Sequence, residues 1–145
     1  MQITSFPDIN ELLYDVLDRM QRILGQNLVG LYLYGSLVTG DFDPEISDID
    51  LLAVLSADVN EERFERLHAM HDDLAAKYPK WKGRIEVQYV SAHALQTFRT
   101  EASRIAAISP GEPFHFKDAG SEWLINWYII RKRGQALHGK SPDTH

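Results

Sequence analysis

Two short apolar runs of β-forming residues, Leu28–Tyr34 and Ile49–Leu55, constrain the fold of this chain more than any other feature. Both are bounded by glycine or acidic residues and are too short to be core helices, so they are predicted to be buried strands. Apolar residues at three- and four-residue spacing predict helices over residues 9–24 and 60–78. This order of elements predicts an α/β or α+β fold.

The remaining elements follow weaker patterns. A third strand is predicted at residues 84–90 and a short helix at 91–98. Residues 100–118 are rich in proline, glycine and polar residues and are predicted to be mostly loop. A chain of 145 residues is long enough for one ordinary domain, so we expect a single domain over residues 1–145.

The last predicted helix runs from Ser121 to about Arg133 and is apolar almost all round between Trp123 and Ile130. A one-sided packing site cannot bury such a helix. We therefore expect it to be sandwiched within the domain, against a second subunit of a homodimer, or against a further domain.

Composition excludes several classes of protein. The chain has no cysteine, which excludes disulfide scaffolds, thiolate metal sites and cysteine nucleophiles. Its 21 acidic and 15 basic residues give a net charge of −6, which argues against a nucleic-acid partner. No apolar run is long enough to span a membrane and no signal-peptide pattern is present, so we expect a cytoplasmic protein with no membrane partner.

A glycine–serine pair, Gly35 and Ser36, follows the first predicted strand. The spacing to Gly40 superficially resembles a P-loop, but Asp41 and Phe42 stand where lysine and serine or threonine are required, so a Walker site is excluded. A Gly-Ser turn can present N–H groups and a hydroxyl to a phosphate. It can equally be an ordinary turn.

Three carboxylates accompany the predicted strands: Asp48 and Asp50 begin the second, and Glu86 lies within the third. Residues i and i+2 of a strand share a face, and two like charges in an apolar setting are costly unless a cation neutralises them. If the second and third strands pair, the three carboxylates converge opposite the Gly-Ser turn and could hold two metal ions that clamp a triphosphate. The alternative is that they lie on solvated surfaces.

Two other groups of polar residues are given structural interpretations. His68 and His71 are assigned to a polar helical face rather than to a metal pair. Asp41, Asp43 and Glu45 are interpreted as solvated loop charges.

At these motifs the sequence resembles the DNA polymerase β-like nucleotidyltransferase superfamily, and more narrowly the streptomycin/spectinomycin-type aminoglycoside adenylyltransferases. The resemblance covers nearly the whole chain and is carried by residues 31–36 (LYLYGS), 47–52 (SDIDLL), 85–87 (IEV) and 123–139. It implies a minimal nucleotidyltransferase fold, a small mixed β-sheet flanked by helices.

The resemblance also implies roles for individual residues. Asp48, Asp50 and Glu86 would bind Mg²⁺, with two ions expected alongside ATP as substrate, and Glu86 would also act as base toward the acceptor hydroxyl. The nucleotide-binding residues implied are Gly35, Ser36, Ser47, Asp48 and Asp50. The implied reaction is in-line attack on the α-phosphorus of ATP, which releases pyrophosphate and leaves AMP on the acceptor.

The sequence leaves the identity of the acceptor open. One hypothesis is a small hydroxylated molecule, an aminoglycoside among them. A second is a partner toxin, because minimal members of the superfamily include antitoxins of about this size that adenylylate a toxin. A third is a non-catalytic nucleotide-binding or partner-docking module, against which the three retained carboxylates argue. Adenylyltransferases of this type continue into a C-terminal helical domain, which we expect to be absent from this chain. Where such a domain is present, we expect it to pack on the helix from Trp123 to Ile130.

Overall fold

One mixed β-sheet organises the computed structural model, which describes residues 3–144 of the chain. Residues 1, 2 and 145 of the predicted domain lie outside the described residues. The strands are β1 (Leu28–Tyr34), β2 (Ile49–Leu55), β3 (Ile85–Ser91), β4 (Ser103–Ser109), β5 (Glu112–Ala119) and β6 (Gln135–His138). The helices are α1 (Pro7–Leu24), α2 (Ser36–Thr39), α3 (Glu61–Lys77), α4 (Ala92–Thr97) and α5 (Leu124–Arg133). Short 3₁₀ turns occupy Gly25–Asn27, Pro79–Trp81, Ser121–Trp123 and Pro142–Thr144.

The sheet order is β5-β4-β3-β2-β1-β6. β2 and β3 are parallel and are connected through α3, whereas every other neighbouring pair is antiparallel. The end of β1 therefore lies beside the start of β2, and the start of β2 beside the start of β3. This topology brings three separate chain segments to one edge of the sheet, and it confirms the predicted mixed sheet flanked by helices.

Side chains that alternate along the strands form a core on each face of the sheet. Leu31 and Leu33 of β1 pack with the buried residues of α1 and α3 on one face. Tyr32 of β1 and Leu52 of β2 pack on the other face with α4 and α5. Because successive side chains point to opposite faces, Tyr34 and Asp50 lie on the face that α5 covers.

The prediction of a loop over residues 100–118 is wrong, because β4 and β5 form an antiparallel hairpin there. Pro110 and Gly111 lie in the turn between the strands, where Gly111 has a φ of 80°. These turn residues end one strand and begin the next, and they leave the regular structure on both sides intact. The short strand β6 pairs with β1 and was also not predicted.

Of the three alternatives for the last helix, packing on all sides within the domain is not what residues 3–144 show. Trp127 and Ile130 of α5 are buried against the sheet. The opposite side chains Ile125, Tyr128 and Ile129 are 70%, 64% and 43% exposed. The helix therefore has one buried face and one exposed apolar face. Within the same residues, no helix combines the length and the hydropathy needed to cross a bilayer.

His71 does not lie on a polar helical face, as the sequence suggested, but is buried between α3 and the sheet. Its Nε2 atom lies 2.8 Å from the hydroxyl oxygen of Tyr89, and its ring is 5.4 Å from that of Phe114. Burial lowers the pKa of His71 to about 4, with a smaller contribution from the charge of His68. The histidine is therefore neutral in the folded protein at neutral pH.

We expect this buried histidine to make the fold sensitive to acid. A pKa that is about 4 in the folded chain and 6.5 unfolded means that the unfolded chain binds more protons in that window, so stability falls as the pH drops from about 6.5 toward 4. Urea unfolding at pH 7.5 and pH 5 should show a loss of about 2 kcal/mol that depends on His71. The His71→Gln variant, which cannot titrate, should lack it, whereas the variant His68→Gln, at a half-exposed position on the same helix, should keep it. An equal loss in His71→Gln and the wild type would contradict this assignment.

Candidate active site

The sheet register places two predicted site residues, Asp50 and Glu86, in one row with Tyr34. Tyr34, the last residue of β1, pairs with Asp50 of β2, and Asp50 pairs with Glu86 of β3. Residues paired across neighbouring strands point to the same face of the sheet. The second and third strands do pair, which is the condition stated for the carboxylates to converge, and this pairing brings Asp50 beside Glu86.

Asp50 and Glu86 interact directly. The pKa of Asp50 is raised to about 8, first by burial and then by the hydrogen bond to Glu86 and the negative charges of Glu86 and Asp48. Two carboxylates this close cannot both ionise without a large electrostatic cost, so the protonated Asp50 donates its hydrogen bond to Glu86. A cation bound beside Asp50 would favour the ionised form of this carboxyl.

Position 35 requires glycine for two reasons, its backbone conformation and the proximity of the Asp50 side chain. Its φ of 79° and ψ of −152° belong to a region that essentially only glycine adopts. The carboxylate of Asp50 occupies the space where a Cβ atom at residue 35 would lie. The turn therefore lets the end of β1 lie directly against Asp50.

Ser36 follows at the first position of α2, where its carbonyl oxygen accepts a hydrogen bond from the N–H of Gly40. Within residues 3–144 its hydroxyl has no hydrogen-bond partner in the protein. Because the side chain is half-buried beside Gly35, this hydroxyl is available to a ligand held against Asp50.

The loop that precedes Asp48 is held by Arg84, the residue before β3. The Arg84 guanidinium donates to the carbonyl oxygens of Pro44, at 2.8 Å, and Ser47, at 2.6 Å, while it lies 4.3 Å from the Trp81 ring centroid. Ser47 also stabilises the loop from within, because its hydroxyl accepts a hydrogen bond of 2.9 Å from the N–H of Asp43. A structural role is therefore visible for Ser47, while its predicted contact with nucleotide stays a prediction.

The side chains of Asp41, Asp43 and Glu45 are exposed, as predicted. Asp43 is also a turn residue, because its carboxylate accepts a hydrogen bond from the N–H of Glu45. These charges surround the loop without entering the row of Asp50 and Glu86.

A buried polar network lies behind the carboxylate pair. The indole N–H of Trp123 donates to the side-chain oxygen of Gln88, and Gln88 also acts on Tyr34 by lowering the pKa of its phenol. Burial raises the pKa of Tyr34, and the charges of Glu86 and Asp50 raise it further, so its phenol stays protonated. Sequence reasoning missed this network, although Gln88 follows Glu86 at the two-residue spacing that puts both on one face.

The carboxylate oxygens of Asp50 and Glu86 suit a hard divalent cation such as Mg²⁺, which prefers such ligands. The raised pKa of Asp50 is compatible with this fit, because burial first, and then the charges of Glu86 and Asp48, oppose its ionisation, and a bound cation would favour the ionised form. Within residues 3–144, however, no group of three or more histidine, aspartate and glutamate side chains is arranged to hold a metal ion. Asp48 precedes the first paired residue of β2, Ile49, so the strand ladder does not fix it beside the other two.

The predicted site residues are therefore brought together only in part. Asp50, Glu86 and Gly35 form one contiguous group, and Ser36 adjoins it. Asp48 acts on Asp50 through its charge. The assignment of these carboxylates to Mg²⁺ stays a prediction.

Comparison with known proteins identifies a family for most of the chain. Residues 13–116 match the family model described as "Nucleotidyltransferase domain". Compared by sequence with curated proteins, the chain matches none.

Comparison with solved structures gives one similar fold and two weaker matches. The structure of spectinomycin adenyltransferase AAD(9) from Enterococcus faecialis with ATP and spectinomycin superposes with a TM-score of 0.75 at 18% identity. The match covers 92% of this chain and 58% of that chain, so this chain spans less than two thirds of its length. A toxin–antitoxin complex with AMP-PNP matches with a TM-score of 0.49 at 15% identity, over 90% of this chain and 75% of that chain. A tri-AMPylated Shewanella oneidensis HEPN toxin in complex with MNT antitoxin matches with a TM-score of 0.46 at 13% identity, over 92% and 75%. At 18% identity the first similarity shows a shared fold.

Proposed function

The chain belongs to the nucleotidyltransferase domain family, and from this premise we propose that it transfers AMP from ATP to a hydroxyl group of an acceptor and releases pyrophosphate. One observation carries the proposal: Asp50 and Glu86 are paired in register at the sheet edge, against the Gly35 turn and beside the free hydroxyl of Ser36. The location proposed with this activity is the cytoplasm, where ATP is available.

In the proposed reaction each residue has a distinct task. Asp50 and Glu86, together with Asp48, would hold Mg²⁺, and bound Mg²⁺ would neutralise charge on the phosphates of ATP. The Ser36 hydroxyl would donate a hydrogen bond to a terminal phosphate oxygen. Glu86 in its ionised form would accept the proton of the acceptor hydroxyl as its oxygen bonds to the α-phosphorus and pyrophosphate leaves. Positioning and charge neutralisation would supply most of the rate enhancement.

We propose a small hydroxylated molecule as the acceptor, with spectinomycin as the first probe because the similar adenyltransferase structure holds it together with ATP. A protein acceptor is the second candidate. The observation that favours it is the exposed apolar face of α5, formed by Ile125, Tyr128 and Ile129, which a partner protein, a second copy or a helical domain could cover.

Label transfer tests the proposal and separates the acceptors. The chain should be incubated with ATP labelled at the α-phosphate, Mg²⁺ and spectinomycin, and in parallel with the proteins of a cell extract. Label on spectinomycin with an equal amount of pyrophosphate supports the first acceptor, and label on a discrete protein band supports the second. Absence of both label and pyrophosphate, under conditions where Mg²⁺ and ATP bind, would overturn the proposed transfer.

A further inference from the structure

A cavity of about 220 Å³ lies between the second half of α3, the turn that precedes β3 and the β4–β5 hairpin. Much of its wall is apolar and includes Leu74 of α3, Trp81 of the turn, Ile85 of β3 and Ile108 of β4. Pockets for drug-sized ligands have volumes of roughly 300–1,000 Å³, so this cavity suits a smaller molecule. The lining favours a ligand with a compact apolar body.

The cavity lies on the opposite face of the sheet from the carboxylate pair. Ile85 packs in the core that α1 and α3 cover, and the next side chain, Glu86, points to the other face because side chains alternate along a strand. Neither Asp50 nor Glu86 lines the cavity. A molecule bound there would instead contact the segment from Trp81 to Ile85, which contains the Arg84 anchor of the loop before Asp48.

His71 provides a polar group in the cavity wall. It is almost fully buried, and its Nε2 atom lies 2.8 Å from the hydroxyl oxygen of Tyr89. Tyr89 is also buried, and within residues 3–144 its hydroxyl has no second hydrogen-bond partner. If the phenol accepted a proton from Nε2, its own proton would have no acceptor, which is costly in a buried position. The phenol therefore donates to Nε2, and the proton of the neutral histidine lies on Nδ1.

The Nδ1–H group of His71 is available to a ligand, since no protein group in the described part of the chain accepts its proton. Among residues 3–144, the one fully enclosed side-chain nitrogen or oxygen without a partner is the amide nitrogen of Asn27. Nδ1 is therefore not enclosed by protein, and the cavity is the space that His71 lines. An N–H donor in an apolar wall favours a ligand that carries a carbonyl or carboxylate oxygen.

Lys82 adds a positive charge to the exposed side of the cavity. Its side chain makes no ion pair within residues 3–144. The carboxylate that lines the cavity, Glu112, is engaged by its own hairpin, because it lies 3.6 Å from Nε2 of His115 and accepts a hydrogen bond of 3.4 Å from the Ser109 hydroxyl. The cavity thus offers a ligand one N–H donor and one unpaired cation, which together favour a carboxylate.

We propose that this cavity binds a small apolar molecule that carries one carboxylate group. A carboxylate oxygen accepts a hydrogen bond from Nδ1 of His71, and the ammonium group of Lys82 balances the charge. The apolar body packs against Leu74, Ile85 and Ile108. The site is separate from the proposed transfer of AMP and does not depend on it.

Titration with benzoate, followed by the ¹⁵N–¹H nuclear magnetic resonance spectrum of the protein without ATP, tests this site. Benzamide is the matched ligand, because it has the same shape and no charge. We expect saturable shifts of the Trp81 indole and of the Gly83 and Gly111 amides, with a benzoate Kd on the order of 1 mM. Benzamide should bind about threefold more weakly or worse, because it cannot form the ion pair with Lys82.

Two neighbouring alanines of α3 give a matched pair of variants. Ala75 is half-buried and lines the cavity, so Ala75→Leu should fill part of it and weaken benzoate binding about 10-fold or more. Ala76 is exposed and does not line the cavity, so Ala76→Leu should bind benzoate like the wild type. Thermal unfolding of both variants checks that they are folded.

The polar contacts are tested separately. His71→Phe keeps a ring and removes the Nδ1–H donor, so it should weaken benzoate binding about 10-fold. If this buried variant does not fold, Lys82→Gln tests the charge at an exposed position and should weaken binding about threefold. Its control is Lys80→Gln, which removes an ammonium group that lies 3.9 Å from the Asp8 carboxylate and should leave benzoate binding unchanged.

The outcomes are distinct from those of the label-transfer experiment. Absence of benzoate binding, or unchanged affinity in Ala75→Leu, would overturn the proposed site. Benzamide binding as tight as benzoate binding would overturn the carboxylate assignment. Asp50→Asn should bind benzoate like the wild type, so loss of AMP transfer would leave this site standing, and failure of benzoate to bind would leave AMP transfer standing.

Discussion

Replacing Asp50 by asparagine is expected to reduce Mg²⁺-dependent release of pyrophosphate from ATP by at least about 1,000-fold while leaving the protein folded. The amide keeps the shape of the side chain against Gly35 but removes the negative charge that would hold the cation. The folded protein should become more stable by about 1 kcal/mol at pH 7, because burial and the Glu86 and Asp48 charges oppose ionisation of this carboxyl. Pyrophosphate release and urea unfolding measure the two effects on the same sample.

Asp41→Asn is the matched control for this substitution. It removes one carboxylate from the loop that joins α2 to β2, but Asp41 is exposed and lies outside the row of paired residues. We expect both its activity and its stability to stay near those of the wild type. If Asp50→Asn lost stability in proportion to activity, the carboxylate would be a structural group rather than a site residue.

Gly35→Ala is expected to have the second largest effect and to impair folding and activity together. A Cβ atom at residue 35 would overlap the Asp50 carboxylate, and the φ of 79° is strained for any L-residue with a side chain. Strain and overpacking each cost about 1–3 kcal/mol, so thermal unfolding should show a loss of roughly 3 kcal/mol. Displacement of Asp50 by about 1 Å should reduce pyrophosphate release by about 100-fold or more.

Gly25→Ala separates these two causes. Gly25 also has a positive φ, of 56°, but a Cβ atom there meets open space at the end of α1. It should therefore lose stability through strain alone and keep its activity once folded. Equal loss of activity in the two variants would mean that the contact between residue 35 and Asp50 does not matter for the site.

The elements that border the site were predictable because their signals are local. β1, β2 and α3 carry continuous apolar patterns with clear ends, and the structure gives them nearly the predicted bounds. β4 and β5 were missed because Pro110 and Gly111 interrupt their pattern within a few residues, and the hairpin shows only in the pairing across the turn. The polar assignment of His71 failed for a related reason: only the packing of α3 against Tyr89 and Phe114 shows that this position is buried.

The site likewise contains residues that the sequence predicts and residues that only the tertiary structure shows. Spacing along the chain sufficed to select Gly35, Asp50 and Glu86, because glycine turns and carboxylates at strand starts are visible in sequence. The role of Arg84 depends on a loop that closes back toward it from 37 residues away in sequence. The network to Trp123 likewise depends on the packing of the segment before α5 on β3, which no local pattern reports.

Thermal unfolding of the wild-type chain with ATP alone, Mg²⁺ alone and both together tests the central claim most directly. Binding to the native state raises the unfolding temperature by an amount that grows with the ratio of ligand concentration to Kd. The account predicts a clear increase with ATP and Mg²⁺ together, little change with either alone, and no increase in Asp50→Asn. Equal stabilisation by ATP with and without Mg²⁺, or an undiminished increase in Asp50→Asn, would contradict a carboxylate site that binds ATP through a divalent cation.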